Sequence, residues 1–312
     1  VFPAVHSVSR MGWLPDQSFI LPGQHMSMDG DGQYALTPPV GLDAMASGWT
    51  SKGSMAHWLE AVELAREYPL LMIALYASAA TPLLHILEQP GFVIDFSGET
   101  SGGKSTALKF AASVWGRAAT SYPTAMYSWD ATRVWIERTC GFLHNLPIIL
   151  DETKRAKHKN IVRDVVYDFC QGQGRGRGAP DGTRFVDSWC SIMISSGENS
   201  IVNFSQDAGT RARVLPLIGK PLGNDPAVGG RASEELQYIL TSTYGHLGPK
   251  VVEYLVQNRD SWDALRALFQ DSRTKYAEVS SAAVGRRHAA HLAILELSSR
   301  IVGLLGIPEP TY

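Results

Sequence analysis

The stretch that decides the fold is Gly98-Glu99-Thr100-Ser101-Gly102-Gly103-Lys104-Ser105. Glycines allow the backbone to wrap a phosphate group, and the amino end of a following helix adds a partial positive charge. A β-rich run over 91–97 precedes the stretch, and a helical pattern over 104–115 follows it. Strand, glycine loop and helix in this order are typical of a P-loop. The predicted ATP-binding residues are Gly98, Glu99, Thr100, Ser101, Gly102, Gly103, Lys104, Ser105 and Thr106.

Two of these residues have specific expected roles, and an acidic pair downstream complements them. Lys104 is predicted to reach the β- and γ-phosphates, and Ser105 to give its hydroxyl to Mg²⁺. Asp151 and Glu152 follow the apolar run 146–150, which reads as a buried strand. We assign Asp151 to the metal and Glu152 to the attacking water, because an acidic pair at this place serves those purposes in P-loop enzymes.

Polar and basic residues beyond the acidic pair suggest further parts of a hydrolytic site. The strand pattern 191–194 ends in Ser195-Ser196-Gly197-Glu198-Asn199, so Ser196 is a candidate for sensing the γ-phosphate; a strand-ending turn is the alternative. Arg213, and after it Arg211, are candidates for the arginine that a neighbouring subunit supplies in ring ATPases. A surface pair without a catalytic part is the alternative reading of these two arginines.

The chain has a formal net charge of -2, so any attraction to nucleic acid must come from a local cluster. Such a cluster occurs at Gly172-Gln173-Gly174-Arg175-Gly176-Arg177-Gly178 and at Arg184 beyond an Asp-Gly turn. Flexible glycines with exposed guanidinium groups suit sequence-independent binding of phosphates. We predict that Arg175, Arg177 and Arg184 bind DNA from a hairpin or mobile loop; a solvated turn is the alternative.

Composition excludes several other classes of protein. Hydrophobic residues make up 45% of the 312 residues and charged residues 19%, as in a globular domain. Cys140, Cys170 and Cys190 fit neither a disulfide framework nor a zinc pattern. No apolar run is long enough to span a bilayer and the start resembles no signal peptide, so we expect a cytoplasmic protein. Because the chain begins at Val1, we also expect a fragment of a longer protein.

The chain divides into three parts by pattern. Residues 1–50 alternate short apolar runs with glycine, proline and aspartate, which predicts a β-rich segment. Residues 51–218 are predicted to form an α/β ATPase core, beginning with a helix after Ser54 and a second, buried helical stretch after Pro69. Residues 219–312 are predicted to form a helical, lid-like region.

Taken together, these residues resemble a known family, the helicase-like domain of phage, plasmid and integrative-element replication proteins, long described as a domain of unknown function. The resemblance spans nearly the whole chain. It is carried by Gly12-Trp13, Leu21-Pro22, Trp58, Ala112-Ser113-Val114-Trp115-Gly116, Leu150-Asp151-Glu152, Tyr167, Gly172-Gln173-Gly174, Ser195-Ser196-Gly197-Glu198 and Arg213 before Leu215-Pro216. Serines replace the family's usual asparagine sensor, a role that could pass to Asn199 or be lost.

The resemblance implies an AAA+-like P-loop core, related to superfamily 3 and MCM helicases, that assembles as a ring, expected to be a hexamer, around DNA. It also implies that a late helical arginine, Arg286 or Arg287, touches the γ-phosphate, and that a primase or other replication module accompanies the domain. The leading hypothesis is thus an ATP-dependent DNA helicase or translocase that serves replication of a mobile element. An ATP-driven switch or loader without unwinding activity and a small-molecule P-loop kinase remain alternatives.

Overall fold

The computed structural model describes residues 5–28, 30, 34–176, 178–179, 182–183, 186–204, 208–279 and 283–311. In chain order its strands are β1 (His6–Val8), β2 (Gly12–Trp13), β3 (Phe19–Leu21), β4 (Gln24–Met26), β5 (Tyr34–Leu36), β6 (Phe92–Ser97), β7 (Tyr127–Ser128), β8 (Ile148–Asp151), β9 (Gly178–Ala179), β10 (Gly182–Thr183), β11 (Ile192–Gly197) and β12 (Val214–Ile218). Its helices are α1 (Asp43–Ala46), α2 (Met55–Ala65), α3 (Pro69–Ala79), α4 (Thr81–Ile86), α5 (Lys104–Ser113), α6 (Arg133–Leu143), α7 (Lys159–Gln171), α8 (Ala208–Arg211), α9 (Pro226–Ser242), α10 (Leu247–Gln257), α11 (Trp262–Val279) and α12 (Ala283–Leu304).

Five strands form a parallel sheet in the spatial order β12-β6-β11-β8-β7. β6 leads into the glycine loop, and β11 lies between it and β8, which ends in the acidic pair. The register places Gly197 beside Ser97 and Ser195 beside Leu150, so the carboxyl ends of these strands share one edge of the sheet. Such an edge is where open α/β sheets bind ligands. The predicted α/β class with a parallel sheet is confirmed.

Helices around the glycine loop form for local reasons that the sequence contains. Ser54 caps α2, because its side chain accepts a hydrogen bond from the backbone N–H of His57 at 3.2 Å. Pro69 is the first residue of α3, where its missing N–H costs nothing. α3 is buried against α5, and the side chain of Ser78 donates a hydrogen bond to the Ala111 carbonyl at 2.6 Å. The stretch predicted after Pro69 is therefore two buried helices, α3 and α4.

The N-terminal segment folds as predicted into short strands and packs on the same core. β2, β3 and β4 form an antiparallel sheet, and β1 pairs with β5. Trp13 is buried, and its indole N–H donates to the Pro82 carbonyl at 3.0 Å while its backbone N–H donates to the Asn145 side chain at 3.0 Å. One cluster of buried side chains runs from this segment through the sheet to α12. The proposed division at residues 50 and 218 stays a prediction.

The C-terminal third of the described chain is helical, as expected. α11 and α12 pack against each other, and α12 also packs on α3. α9 extends beside α2 and α5 and thereby reaches the glycine loop. No helix in the described part of the chain is both long and apolar enough to cross a bilayer.

Candidate nucleotide site

The glycine loop turns sharply between β6 and α5. Gly98, Ser101 and Gly103 have positive φ angles of 145°, 61° and 88°. Lys104 is 8% exposed, and its ammonium group donates to the carbonyl oxygens of Gly98 at 2.9 Å and Glu99 at 2.5 Å. Lys104 forms no ion pair with a described acidic side chain. Its positive charge is thus held by loop carbonyls, with the Glu198 carboxylate near enough to interact with it but not paired to it, as suits an anion-binding loop.

The acidic pair lies next to this loop, as the register of the sheet requires. The Ser105 hydroxyl donates to Asp151 Oδ1 at 3.1 Å, and the Ser196 hydroxyl donates to the same oxygen at 2.5 Å. Ser196 Oγ also accepts the backbone N–H of Glu152 at 3.0 Å. The structure therefore joins the candidates for metal binding, water activation and phosphate sensing in one hydrogen-bonded group.

Glu152 has an unusual backbone conformation. Its φ is 65°, a region that costs a non-glycine residue energy and that is concentrated at functional sites. Its carboxylate accepts the backbone N–H of Lys154 at 3.2 Å and lines the cavity beside the glycine loop. The two acidic side chains therefore have different partners: Asp151 accepts from the two serines, and Glu152 accepts from the backbone of Lys154.

Glu198 connects the two sides of the site, although the sequence analysis gave it no role. Its carboxylate accepts the Thr100 hydroxyl at 3.0 Å and forms an ion pair with Lys154. Hydrogen bonds from Lys154 and Thr100 hold the pKa of this carboxyl below its ordinary value. Of the other candidates for sensing, Ser195 is buried and accepts the Trp129 indole N–H at 2.9 Å, whereas Asn199 is exposed and does not line the cavity. The structure thus places Ser196, not Asn199, at the site.

A cavity of about 560 Å³ extends from the glycine loop to the loop between β12 and α9. The sequence did not indicate the wall of this cavity opposite the glycine loop. This far wall consists of Lys220, Leu222, Gly223, Asn224, Asp225, Pro226, Gly229, Gly230, Ser233 and Glu234. Lys220 pairs with Glu99 at 3.0 Å, and the Thr106 and Ser233 hydroxyls are 2.7 Å apart. A Cβ atom on Gly103 would lie 2.7 Å from the Leu222 side chain. The glycine loop therefore packs directly against this wall, and the cavity has the size of a small-molecule site.

The ligands that the sequence predicted fit the residues present. Ser105 and Asp151 offer a hydroxyl and a carboxylate oxygen close together, and Mg²⁺ takes few protein oxygens when phosphates and waters supply the others. No cluster of three or more metal-binding His, Cys, Asp or Glu side chains occurs in the described residues. The enclosed Lys104 and the size of the cavity suit a nucleoside triphosphate. ATP and Mg²⁺ remain predictions.

The predicted arginines lie at the other end of the sheet. The backbone N–H of Val93, near the start of β6, donates to the Arg213 carbonyl at 2.9 Å. β6 has six residues, and at about 3.3 Å per residue the glycine loop of the same chain is on the order of 15–20 Å away. Arg287 lines a cavity of about 550 Å³ at this end together with Arg213, Arg273 and Arg286. The structure thus brings Arg213 and Arg287 together but brings neither to the glycine loop of its own chain.

This second cavity is basic, and aromatic rings lie against two of the residues that line it, Arg213 and His291. Among the described residues that line it, none is acidic. The Arg213 guanidinium lies over the Tyr167 ring, 5.2 Å from its centre. His291 stacks on Phe92 with the ring centres 4.1 Å apart, and burial lowers its pKa to about 3. Arg211 ends α8 and is exposed nearby, its carbonyl 3.2 Å from the His288 ring.

The arginine loop, residues 172–184, contains a short hairpin, and its described residues line neither of these two cavities. β9 and β10 pair antiparallel, with Gly182 opposite Ala179. Arg175 precedes the hairpin with 62% of its side chain exposed, and its Nε lies 4.0 Å from Asp168 on α7. Arg177 and Arg184 lie outside the described residues. DNA binding by these three arginines remains a prediction.

Comparison with known proteins identifies the family. No curated protein matches the chain. The solved structure described as "SCCmec type IV Cch - active helicase" superposes with a TM-score of 0.76 at 23% sequence identity. The similarity covers 96% of this chain and 56% of that one, so the chain spans little more than half the length of this neighbour. The family model for the domain of unknown function DUF927 matches residues 1–184, which include the glycine loop and the acidic pair. The chain belongs to the DUF927 family.

Proposed function

We propose that this chain is an ATP-dependent DNA helicase or translocase, a P-loop ATPase with an AAA+-like core that serves replication of a mobile genetic element. The observation that carries the proposal is the buried ammonium group of Lys104, which forms no ion pair with a described residue, beside the group formed by Ser105, Asp151 and Ser196. A buried cation at a helix start favours an anion, and the adjacent hydroxyl and carboxylate suit the metal that accompanies nucleotide phosphates.

Each residue of this group has a distinct part in hydrolysis. Lys104 would neutralise charge on the β- and γ-phosphates, and Ser105 and Asp151 would hold Mg²⁺, which when bound supplies positive charge to the phosphates. Glu152, lining the cavity, orients and polarises the attacking water. Ser196 bonds both acidic residues and can transmit a change at the γ-phosphate to β11.

A ring accounts for the separation of Arg213 from the glycine loop. Arg213 lies about the length of β6 away from the glycine loop of its own chain. As an arginine finger it can therefore act only on the nucleotide of a neighbouring copy. Head-to-tail association of identical subunits closes into a ring when the rotation permits, and six copies are expected here. Arg287 lies beside Arg213, so in this proposal it contacts the γ-phosphate of the neighbour's nucleotide.

Transmission to DNA runs through α7. This helix begins soon after Glu152 and ends at Gln171, and Gly172 next to it starts the arginine loop. A shift of the acidic pair on hydrolysis would therefore move Arg175 relative to the sheet. Support for a role on DNA in a mobile element comes from the fold that the chain shares with the SCCmec helicase.

The test compares ATP hydrolysis with and without single-stranded DNA. Lys104→Ala should lower the hydrolysis rate by about 100-fold or more, because a charge that stabilises the transferring phosphate is lost. Lys250→Ala, an exposed lysine distant from the glycine loop, is the matched control and should keep the wild-type rate. Normal hydrolysis by Lys104→Ala would contradict the site.

A second measurement separates a motor from a switch or loader. Single-stranded DNA should raise the hydrolysis rate of the wild type, and Arg175→Ala together with Arg177→Ala should reduce this stimulation. The ring should also separate a forked duplex. Hydrolysis without separation of the fork would support a switch or loader, and a monomer in ATP and Mg²⁺ would support a small-molecule kinase.

A further inference from the structure

A third cavity, of about 490 Å³, lies at the carboxyl ends of β7 and β8. Asp151 forms part of its wall, so the cavity adjoins the nucleotide site while remaining separate from it. The walls are aromatic, formed by Tyr122, Tyr127 and Trp135, and the charged residues are Asp130, Asp151 and Arg155. Apart from Asp151, none of these residues is used by the proposed function.

The aromatic wall has a rigid part and an open part. Tyr127 is buried, meets Trp135 edge-on at 5.3 Å between ring centres, and its hydroxyl accepts the Trp49 indole N–H at 3.0 Å. Tyr122 in contrast is 48% exposed, and its ring centre lies 6.2 Å from that of Tyr127. A fixed aromatic floor with a half-exposed ring at its edge offers a stacking surface to a flat ligand.

The charged groups decide which flat ligand fits. Two carboxylates against one guanidinium give the lining a net negative charge, which disfavours a phosphate inside the cavity and does not oppose an uncharged ring. The Asp130 carboxylate forms no hydrogen bond or ion pair with a described residue, so it can accept from an amino group. Arg155 is exposed, and its guanidinium likewise pairs with no described residue, so it can bind a phosphate outside. This combination suits a nucleobase inside the cavity, with the adjoining phosphate of the nucleic-acid backbone bound by Arg155 outside it.

Contacts of α6 and α7 link the cavity to the arginine loop. Thr132 lines the cavity and caps α6, accepting the backbone N–H of Trp135 at 3.2 Å. The next residue, Arg133, pairs with Asp168 on α7, and Asp168 also lies 4.0 Å from Arg175. A strand that binds Arg175 would thus lie next to residues of α6 and α7 that connect, contact by contact, to the cavity.

We propose that this cavity is a pocket for one unpaired base of single-stranded DNA, which stacks on Tyr122 while Arg155 binds the adjoining phosphate. The proposal rests on the proposed function, because it assumes that a strand reaches the arginine loop. An arginine side chain from a second copy could also meet Tyr122 and Asp130, but Arg155 in the same wall repels it. The pocket gives DNA a contact with the wall that contains Asp151, beside the ATP site.

The test measures binding of fluorescent single-stranded DNA by anisotropy, using a base-bearing oligonucleotide and an abasic one of equal length and charge. Tyr122→Ala should weaken binding of the base-bearing strand by about tenfold and leave the abasic strand unchanged, because stacking needs a base. Tyr122→Phe should keep the wild-type affinity. Tyr238→Ala removes a tyrosine that is 76% exposed on α9 and is the matched control.

A second variant covers the case in which Tyr122→Ala fails to fold, as thermal unfolding would reveal. Arg155→Gln should weaken the binding of both oligonucleotides equally, by a few fold, because it removes one phosphate contact. It should also lower the salt dependence of binding.

Equal affinity of the wild type and Tyr122→Ala for the base-bearing strand would overturn the pocket and leave the proposed function intact. Loss of ring assembly without a change in DNA affinity would overturn it in favour of a subunit contact. If the wild type binds neither strand, both the pocket and the proposed function fail.

Discussion

Asp95 is a buried side chain in β6, three residues before the glycine loop. Its Oδ2 accepts the Ser200 hydroxyl and the Ile201 backbone N–H, each at 2.8 Å, while Oδ1 has no partner among the described residues. Asp95 thereby ties the segment after β11, which includes Glu198, to β6. Burial raises its pKa from 3.8 to about 6, against the opposing effect of those hydrogen bonds.

The raised pKa predicts a pH-dependent stability. A carboxyl group with a higher pKa in the folded state stabilises the fold below pH 4 and loses that contribution as the pH rises through about 6. Asp95→Asn keeps an acceptor for Ser200 and Ile201 and removes the charge. The wild type should lose stability as the pH rises from 4 to 7, and the variant should not. The difference in free energy of unfolding, variant minus wild type, should therefore increase by about 3 kcal/mol over this range. Urea denaturation at several pH values measures this, and a difference that does not vary with pH would contradict it.

At the scale of elements, α10 packs closely against the end of α5, because the backbone of Gly248 lies directly against the Trp115 ring. Gly248, near the start of α10, faces Trp115 just beyond α5, and its backbone N–H donates to the Val114 carbonyl at 2.8 Å. A Cβ atom on Gly248 would lie 2.3 Å from the Trp115 ring. No side chain fits there unless α10 moves.

Two glycine-to-alanine substitutions should therefore have opposite effects. Gly248→Ala should lower the free energy of unfolding by about 1–3 kcal/mol, because it overpacks the contact with Trp115. Gly303→Ala in α12 meets open space and should raise it by up to about 1 kcal/mol, because alanine favours a helix. Thermal and denaturant unfolding of both variants give the comparison. A stable Gly248→Ala would show that α10 is free to shift.

The elements also differ in how clearly the sequence encodes them. α2, β6 and α5 were predicted closely because caps, prolines and glycines mark their ends. β12 was missed because Pro216 interrupts it; the structure accommodates this proline because β12 is an edge strand, paired only with β6. α7 was not predicted, although Val162, Val165, Val166 and Phe169 have helical spacing and are buried.

At the scale of the whole molecule, the sheet separates the two parts of the proposed ATPase site. Lys104 lies beyond the carboxyl end of β6 and Arg213 beside its amino end. In the proposed ring, one chain would therefore contribute one half of a site to each of its two neighbours.

Mixing two inactive variants tests this arrangement. Lys104→Ala lacks its own phosphate lysine but retains Arg213, and Arg213→Ala has the opposite defect. In an equal mixture about a quarter of the interfaces in a head-to-tail ring would combine both intact residues. ATP hydrolysis should thus recover to about a quarter of the wild-type rate. No recovery, with mixed rings verified by size, would contradict a site shared between subunits.

The sequence by itself determined the features that depend on residues close together in the chain. The glycine loop, Lys104 and Ser105 were readable because strand, turn and helix signals follow each other within a short span. The acidic pair was readable because it ends a strand. In the same way, the alternation of apolar runs with turns indicated the N-terminal strands.

Only the tertiary structure decided which distant residues meet. The order of strands places β11 between β6 and β8, which is why Ser196 bonds Asp151 while Ser195 faces Trp129. It also brings the loop after β12 over the nucleotide cavity and puts Arg287 beside Arg213. The physical reason is that strand order and helix packing depend on burial summed over the whole core, and no local pattern contains that sum.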